Sequence, residues 1–189
     1  MIPSHMECRM PVTQEYSCKQ KQLLYCVQFM DSMISRGHTM NVTSFSKRFK
    51  IKRKDGKLYD PIRKKYVQAK PEEYVRQKTI RFLIDCLKVP SDRIVVECAL
   101  STLGVEGDKR RIDIGILDPE NSVAAAVECK NSLVGYNEPA FIQAQDYLMD
   151  LHARYFFVTD GMIFKGYLYR YMCFEQLEEI PDYEDLVSS

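Results

Sequence analysis

The chain has 189 residues, of which 46% are apolar, so it can build one domain with a hydrophobic core and short appendages. Its 27 basic and 26 acidic residues nearly cancel, and the net charge by itself therefore predicts no class of partner. Seven cysteines without a C-x-x-C pair exclude a Cys/His zinc site, and the lack of a signal segment or a long apolar run excludes a membrane span, so we expect a reduced, cytoplasmic protein.

The distribution of residue types divides the chain into three segments. Residues 1–40 hold three of the cysteines and one helical stretch, and we predict an N-terminal extension of unknown role. Residues 41–170 carry the strand and helix patterns of a single domain. Residues 171–189 are acidic, with no lysine or arginine after Arg170, and we predict a C-terminal tail.

A basic stretch opens the predicted domain. Eleven lysines and arginines lie between Lys47 and Lys70, where only Asp55 and Asp60 oppose them. The sequence FKIKRKDGKLYD predicts a hairpin, because Asp55-Gly56 favours a tight primed turn, and the following residues continue as a strand. A basic stripe of this kind suits a polyanion such as nucleic acid. A solvated hairpin without a ligand is the alternative interpretation.

Helical and strand patterns alternate after this hairpin. Pro71 begins a helix whose apolar stripe runs from Val75 to Leu87, and Pro90 ends it. Strands are predicted at residues 93–101, 110–117 and 123–130, followed by a helix at about 138–152 and two strands at 154–161 and 162–170. The predicted core order is therefore helix, three strands, helix, strand.

Acidic side chains fall on two neighbouring strands. In RRIDIGIL the three isoleucines are expected on one face and Asp113 on the other, and in VAAAVECK Glu128 and Lys130 share a face. Adjacent antiparallel strands bring such side chains to about 5 Å, where two carboxylates repel each other and favour a hard divalent cation, Mg²⁺ or Mn²⁺. Asp113, Glu128 and the backbone carbonyl of Cys129 are the candidate ligands. Lys130 could orient a metal-bound water, deprotonate it, or neutralise charge on a phosphate.

An E-x-K triplet is a weak signal alone, because a chain of this length shows roughly one by chance. Asp55-x-Lys57 has a similar form but lies in the hairpin turn without a partner acid. The alternative interpretation of Glu128 and Lys130 is an exposed ion pair worth about 0–1 kcal/mol, with Asp113 as a solvated strand residue. The spacing of Asp113 from Glu128-Cys129-Lys130, with a turn between them, favours the metal site.

These features together resemble the PD-(D/E)XK nuclease superfamily, and more narrowly the N-terminal nuclease domain of type I restriction enzyme R subunits, from about residue 51 to 169. The resemblance rests on KPEEYVRQ (70–77), RRIDIGILD (110–118), VECK (127–130), Gln143 with Tyr147, and FFVTDG (156–161). It implies an α/β fold with a restriction-endonuclease-like core, a mixed central sheet flanked by helices, and an N-terminal hairpin. Asn131-Ser132 departs from an Ala-Pro pair common in the family.

The resemblance also implies roles for residues outside the acid pair. Gln143 and Tyr147 lie on one helical face and correspond to a Q-x-x-x-Y motif that supports the active site and contacts substrate, while an interfacial Gln and a core Tyr are the alternative. Glu73 corresponds to a first-helix acid that approaches the metal, with Glu72 as a competitor and N-terminal charge compensation as the alternative. Arg76-Gln77 could contact phosphate or pair locally.

The expected function is Mg²⁺-dependent (or Mn²⁺-dependent) cleavage of DNA by a restriction-type endonuclease, with Asp113 and Glu128 holding the metal and Lys130 positioning the attacking water. Glu97 either braces this site or faces solvent. The basic hairpin, with Tyr59 and Tyr66, would follow backbone phosphates without reading sequence. No phosphate-loop motif is present, so no ATP-driven motor is expected within the sequence. The alternatives are a non-cutting nucleic-acid-binding module, recruited by a partner such as another restriction-system subunit, and an enzyme that acts on RNA.

Overall fold

The computed structural model describes residues 49–130, 138–171 and 173–188, and the predicted N-terminal extension lies outside them. Strands and α-helices follow one another in the described ranges as β1 Arg53–Lys54, β2 Lys57–Asp60, β3 Lys65–Gln68, α1 Pro71–Asp85, β4 Ile94–Ala99, β5 Arg111–Leu117, β6 Val123–Cys129, α2 Glu138–Leu151, β7 Tyr155–Thr159, β8 Phe164–Arg170, β9 Cys173–Gln176 and α3 Tyr183–Ser188. The predicted order of helix, three strands, helix and strand corresponds to α1, β4 to β6, α2 and β7.

The basic stretch forms an antiparallel sheet of its own, in the order β1-β2-β3. The predicted hairpin is confirmed, because Asp55 and Gly56 have φ angles of 49° and 69°, the two positive values that a primed two-residue turn requires. Leu58 is buried beneath this sheet, while most of its lysines face solvent. The sheet therefore presents positive charge on the surface while its middle strand is fixed to the rest of the molecule.

The main sheet has six strands in the order β4-β5-β6-β7-β8-β9. Neighbouring strands are antiparallel except β6 and β7, which run parallel from the pair Ala125 and Tyr155 to the pair Cys129 and Thr159. A parallel pair needs a crossover connection, and α2 supplies it. The mixed α/β class is confirmed, and the more specific restriction-endonuclease-like arrangement stays a prediction.

Helices cover both faces of the main sheet. On one face α1 and α3 pack on alternate residues of β5 and β6, including Ile114 and Val127, and on the other face α2 packs through Tyr147 and Leu148. Pro71 occupies the first turn of α1 together with Glu72 and Glu73, as predicted, and Lys70 before it makes no side-chain cap. Burial on both faces explains why VAAAV reads as an uninterrupted apolar run.

Ile112 departs from the predicted alternation. Ile114 and Ile116 lie on the α1 face as expected, but Ile112 belongs to the cluster on the α2 face, so the prediction of one isoleucine face was wrong for this residue. The physical reason is the missing side chain of Gly115. A Cβ built on Gly115 would lie 2.7 Å from Cδ1 of Ile112, so the Ile112 side chain fills that space.

A testable consequence concerns Gly115 itself. We expect Gly115→Ala to lower the free energy of unfolding by about 1–3 kcal/mol, because the new methyl group would also lie 2.7 Å from Cγ2 of Val95. Chemical denaturation followed by circular dichroism measures this change. Glu106→Ala, at an exposed loop position, is the control and should unfold as the wild type does. Equal stability of Gly115→Ala and wild type would contradict the packing described here.

The acidic C-terminal segment contributes to the fold. Strand β9 pairs with β8, and Leu186 of α3 is 2% exposed within the core on the α1 face. Tyr183 also donates a hydrogen bond from its hydroxyl to the carbonyl of Leu117 at 3.0 Å. The apolar residues of this segment stand singly or in pairs between acids and are too few to form a clear periodic pattern. The sequence therefore suggested a tail. No helix in the described ranges is both long and apolar enough to cross a membrane.

Candidate active site

The predicted acid pair lies where the pairing of β5 with β6 ends. Ile114 pairs with Val127, so the next positions along the ladder place Asp113 opposite Glu128. The backbone ladder stops here, and the side chain of Asp113 replaces it by accepting a hydrogen bond from the N–H of Cys129 at 2.8 Å. The two carboxylates therefore come from the same antiparallel pair of strands.

Asp113 is also paired with an arginine from α1. Its Oδ1 accepts a hydrogen bond from Nη2 of Arg76 at 2.7 Å, while its Oδ2 receives the Cys129 N–H. Arg76 is 5% exposed, and burial, which by itself lowers the pKa of its guanidinium, is outweighed by Asp113, Glu73 and Glu97, so the pKa is raised. The orientation of Asp113 is thus fixed through both of its oxygens.

Glu128 and Lys130 point the same way, as the strand period predicts. Nζ of Lys130 lies 2.6 Å from Oε1 of Glu128. Burial and the nearby charge of Asp113 raise the pKa of Glu128 above its ordinary value, although Lys130 opposes them. Burial alone would lower the pKa of Lys130, but the hydrogen bond to Glu128 and the charges of Asp113 and Glu72 outweigh it and raise the pKa, so the free protein carries Lys130 as an ammonium at neutral pH.

Of the two site residues predicted on α2, the structure places Tyr147 beside the acid pair. Tyr147 is 2% exposed, and its hydroxyl lies near enough to Glu128 for the two groups to interact. Burial, and then the charges of Glu128 and Asp113, hold the pKa of Tyr147 well above its usual range, so the hydroxyl keeps its proton. Gln143 lies one turn earlier on α2, and its side chain falls outside the described residues.

The two acids at the start of α1 have different surroundings. Oε2 of Glu73 accepts a hydrogen bond from Arg76 at 2.5 Å, and Oε1 accepts from Arg63 at 2.7 Å and from Gln77 at 2.9 Å. Glu72 is exposed and lies near enough to Lys130 to raise its pKa. Glu73 thus reaches the acid pair through Arg76, and Arg76 and Gln77 pair locally in the free protein.

A buried carboxylate joins the basic sheet to α1. Asp60, at the end of β2, is 0% exposed and accepts hydrogen bonds from the backbone N–H groups of Ile62 and Arg63, each at 2.8 Å. Its Oδ2 also accepts from Nε of Arg63 at 2.6 Å and from Gln77 at 2.9 Å. Since Arg63 and Gln77 both continue to Glu73, one hydrogen-bonded network runs from the basic sheet to Asp113.

Glu97 interrupts the pairing of β4 with β5. Val96 pairs with Ile114 and Cys98 with Ile112, so Glu97 faces Asp113 between these two pairs, and its own φ is 52°. Its Oε1 lies 2.6 Å from Nη2 of Arg76. Of the two alternatives for Glu97, the structure favours the one that braces the site.

The outer surface of the basic sheet combines cations with tyrosine rings. Tyr59 and Tyr66 are paired across β2 and β3 with ring centroids 5.3 Å apart, and Nζ of Lys52 lies 5.3 Å from the centre of the Tyr59 ring. The guanidinium of Arg53 lies 4.6 Å from the ring of Tyr74 on α1. The exposed cations are Lys50, Lys52, Arg53, Lys54, Lys57, Lys64, Lys65 and Lys70. Such a surface combines positive charge with aromatic faces.

The oxygen donors at the strand ends fit the needs of a divalent metal ion. Among the described residues, no three side chains of histidine, cysteine, aspartate or glutamate converge as a closed metal cage. Mg²⁺ rarely uses such a cage, because it usually binds one or two carboxylates and keeps waters or phosphate oxygens. Burial, and then repulsion by Asp113, raise the pKa of Glu128, and a bound cation relieves this repulsion, so these residues fit the ion.

Sequence reasoning missed the network behind the acid pair. The sequence identifies Asp60 and Arg63 only as members of the basic stretch from Lys47 to Lys70, because no local pattern distinguishes a buried aspartate from an exposed one. The spacing of Glu73 and Arg76 does carry a signal, since residues three apart on a helix lie side by side. That spacing could have predicted their ion pair, but not its continuation to Asp113, which is 37 residues away.

Comparison with known proteins supports the resemblance drawn from the motifs. A family model described as the N terminus of the type I restriction enzyme R protein matches residues 71–181. No curated protein and no solved structure matches the chain. The matched range begins where the basic sheet ends, and it contains all the residues of the predicted site, namely Glu73, Asp113, Glu128, Cys129, Lys130, Gln143 and Tyr147.

Proposed function

Since the chain belongs to the family of type I restriction enzyme R protein N-terminal domains, we propose that it is a nuclease of the PD-(D/E)XK type that hydrolyses DNA phosphodiester bonds with Mg²⁺ or Mn²⁺. One observation carries this proposal. Within the range matched by the family, Asp113 lies opposite Glu128, and Lys130 is bound to Glu128 on the same face. Two carboxylates and an ammonium at one strand end are the groups that metal-assisted phosphodiester hydrolysis needs.

Asp113, Glu128 and the carbonyl of Cys129 would hold the metal, which when bound supplies an activated water and neutralises charge that develops on the phosphate. The chain's own groups prepare this site. Arg76 and the N–H of Cys129 orient Asp113, and the hydroxyl of Tyr147 orients Glu128. Because these contacts hold both carboxylates in place, little reorganisation is required before reaction.

Lys130 is the proposed catalytic residue that positions the attacking water. Its side chain is 26% exposed, and its ammonium is paired with Glu128 and interacts with the charge of Asp113. From there it can donate a hydrogen bond to a water or to a phosphate oxygen. Gln143, one helical turn before Tyr147, is proposed to contact substrate, as the resemblance implies.

The basic sheet is proposed to hold the DNA backbone beside the site. Its exposed lysines match the charge of phosphate groups, and the Tyr59 and Tyr66 rings offer flat apolar surface for bases or sugars. Asp60 connects this sheet to α1, so bound DNA would be held at a fixed position relative to Asp113. Other restriction-system subunits are proposed as partners on the basis of the family.

Supercoiled and linear DNA, incubated with Mg²⁺, Mn²⁺ or EDTA, test the proposal directly. We expect cleavage with either metal and none with EDTA. An RNA of the same sequence, run in parallel, distinguishes a deoxyribonuclease from an enzyme that prefers RNA. Intact DNA and RNA under every metal condition would contradict the proposed activity.

A non-cutting binding module is the second candidate, and one observation favours it. Asp113 and Glu128 are already paired with Arg76 and Lys130 at 2.7 and 2.6 Å, so the site is neutralised in part without a metal. In that case the protein would retard DNA in a gel shift with EDTA and with Mg²⁺ alike, and would cut under neither condition. Cleavage would exclude this candidate.

The basic sheet gives a further prediction that holds for either candidate. We expect the triple change of Lys52, Lys54 and Lys57 to glutamine to weaken DNA binding for all sequences. The slope of log K against log salt should become shallower by roughly 0.9 for each phosphate that the variant no longer neutralises. Fluorescence anisotropy at several salt concentrations measures both effects. Lys109→Gln, at an exposed loop outside the sheet, is the control, and an unchanged slope in the triple variant would contradict DNA binding by this sheet.

A further inference from the structure

The guanidinium of Arg76 lies at the centre of three carboxylates from three different elements. Its Nη1 is 2.5 Å from Oε2 of Glu73 on α1. Its Nη2 is 2.6 Å from Oε1 of Glu97 on β4 and 2.7 Å from Oδ1 of Asp113 on β5. One cation thus pairs with carboxylates from a helix and two strands.

The remaining nitrogen of this guanidinium indicates which contacts decide its position. Nε of Arg76 is buried and has no hydrogen-bond partner among the residues that the structure describes. An unpaired buried N–H is unfavourable, so the ion pairs with Glu73, Glu97 and Asp113 must outweigh it. The acids, and not a complete set of hydrogen-bond acceptors, hold the arginine where it lies.

Glu73 cannot turn toward a metal without breaking several hydrogen bonds. Arg63 and Gln77 occupy its Oε1, and Arg76 occupies its Oε2. A first-helix carboxylate is therefore present near the acid pair, but it is directed at a cation that the chain itself provides.

The net charge around the site limits the number of metal ions that it can bind. Five carboxylates are paired within 2.7 Å with three cations, and Nη1 of Arg111 lies 4.0 Å from Oε2 of Glu97, so about one negative charge is uncompensated when all these groups are ionised, which is less than the charge of one divalent ion. The carboxylates are Asp60, Glu73, Glu97, Asp113 and Glu128, and the cations are Arg63, Arg76, Arg111 and Lys130.

We propose that Arg76 takes the place of a second metal ion between Glu73, Glu97 and Asp113, so that the site binds a single divalent ion at Asp113 and Glu128. This inference rests on the proposed metal-dependent function. Two-metal nuclease sites hold their ions about 3.5–4 Å apart and share a carboxylate between them. Here the side of Asp113 that would be shared is closed by Arg76, which makes Arg76 a positioning residue.

Mn²⁺ binding without any substrate tests the proposal. Isothermal titration of the metal-free protein should give one Mn²⁺ per chain for the wild type and two for Arg76→Gln, which removes the cation and keeps a polar side chain. Electron paramagnetic resonance should then show a spin-coupled Mn²⁺ pair in the variant alone. A merely structural role for Arg76 would lower the melting temperature but would not create a second, coupled ion.

Controls separate this inference from the metal site itself. Arg63→Gln removes a cation from Glu73 but not from Asp113, so it should still bind one ion. If Arg76→Gln does not fold, the paired change Arg76→Gln with Glu97→Gln preserves the net charge and should bind two ions through Glu73, Asp113 and Glu128. Two ions in the wild type, or one ion in a folded Arg76 variant, would overturn the inference and leave the metal site intact. No Mn²⁺ in the wild type would overturn both.

Discussion

Lys130→Ala is expected to lower the rate of DNA cleavage by about 10²–10⁴-fold, the range found when a positioned proton donor or charge is removed from an active site. The side chain is half-buried, is bound to Glu128 at 2.6 Å, and lies near enough to Asp113 for the two charges to interact. Plasmid nicking at saturating Mg²⁺, measured as an initial rate, gives the effect. The decrease should appear in kcat more than in DNA affinity, because the basic sheet is unchanged.

Three comparisons show whether the lower cleavage rate arises in the chemical step or from loss of folded protein. Lys109→Ala, at an exposed loop position, should cut at the wild-type rate. Lys130→Arg keeps the positive charge but not the compact ammonium, so it should recover only part of the activity. Lys130→Ala should melt below the wild type, because the mostly buried Glu128 loses its cation, so the two rates are compared at a temperature at which both proteins are folded. Wild-type cleavage by Lys130→Ala would remove Lys130 from the mechanism.

Asp60→Ala is expected to lower the free energy of unfolding by about 3–5 kcal/mol, the usual consequence of removing one partner from a buried charged pair. The carboxylate is 0% exposed and accepts four hydrogen bonds, two from backbone groups and two from Arg63 and Gln77. Its removal leaves the Arg63 guanidinium with Glu73 as its remaining ion-pair partner among the described residues. For a chain of this size the melting temperature should fall by roughly 6–20 °C.

A matched change at an exposed acid makes this test specific. Asp92→Ala should alter the melting temperature by no more than a surface substitution does, about 0.5 kcal/mol in stability. Asp60→Asn keeps one acceptor oxygen but directs an amide toward Arg63 or Gln77. Its melting temperature should lie between those of Asp60→Ala and Asp92→Ala. If Asp60→Ala has the same melting temperature as the wild type, the basic sheet is not fixed to α1 by this residue.

The periodic elements could be predicted from the sequence because their signals are local. The Asp55-Gly56 turn, the helix that begins at Pro71 and the buried VAAAV strand each depend on a few neighbouring residues. Asp113 and Glu128 could be placed together for the same reason, since a short turn joins their strands and fixes the register.

Features that depend on distant contacts could not be predicted. Leu186 becomes core only once α3 meets the sheet. The burial of Asp60 likewise depends on Gln77, which is 17 residues away. No sequence pattern specifies such contacts, because tertiary packing and not local propensity decides them.

The backbone at Glu97 has a consequence for how this domain could change over time. A non-glycine residue in the left-handed region costs about 1–2 kcal/mol, and the φ of 52° at Glu97 occurs within a strand, where an extended conformation is ordinary. Glycine would relieve that cost but would leave Arg76 without one of its three carboxylates. The relief of backbone strain and the loss of the Glu97–Arg76 ion pair therefore act in opposite directions at this position, so the strained conformation is expected to persist only while the site requires this carboxylate.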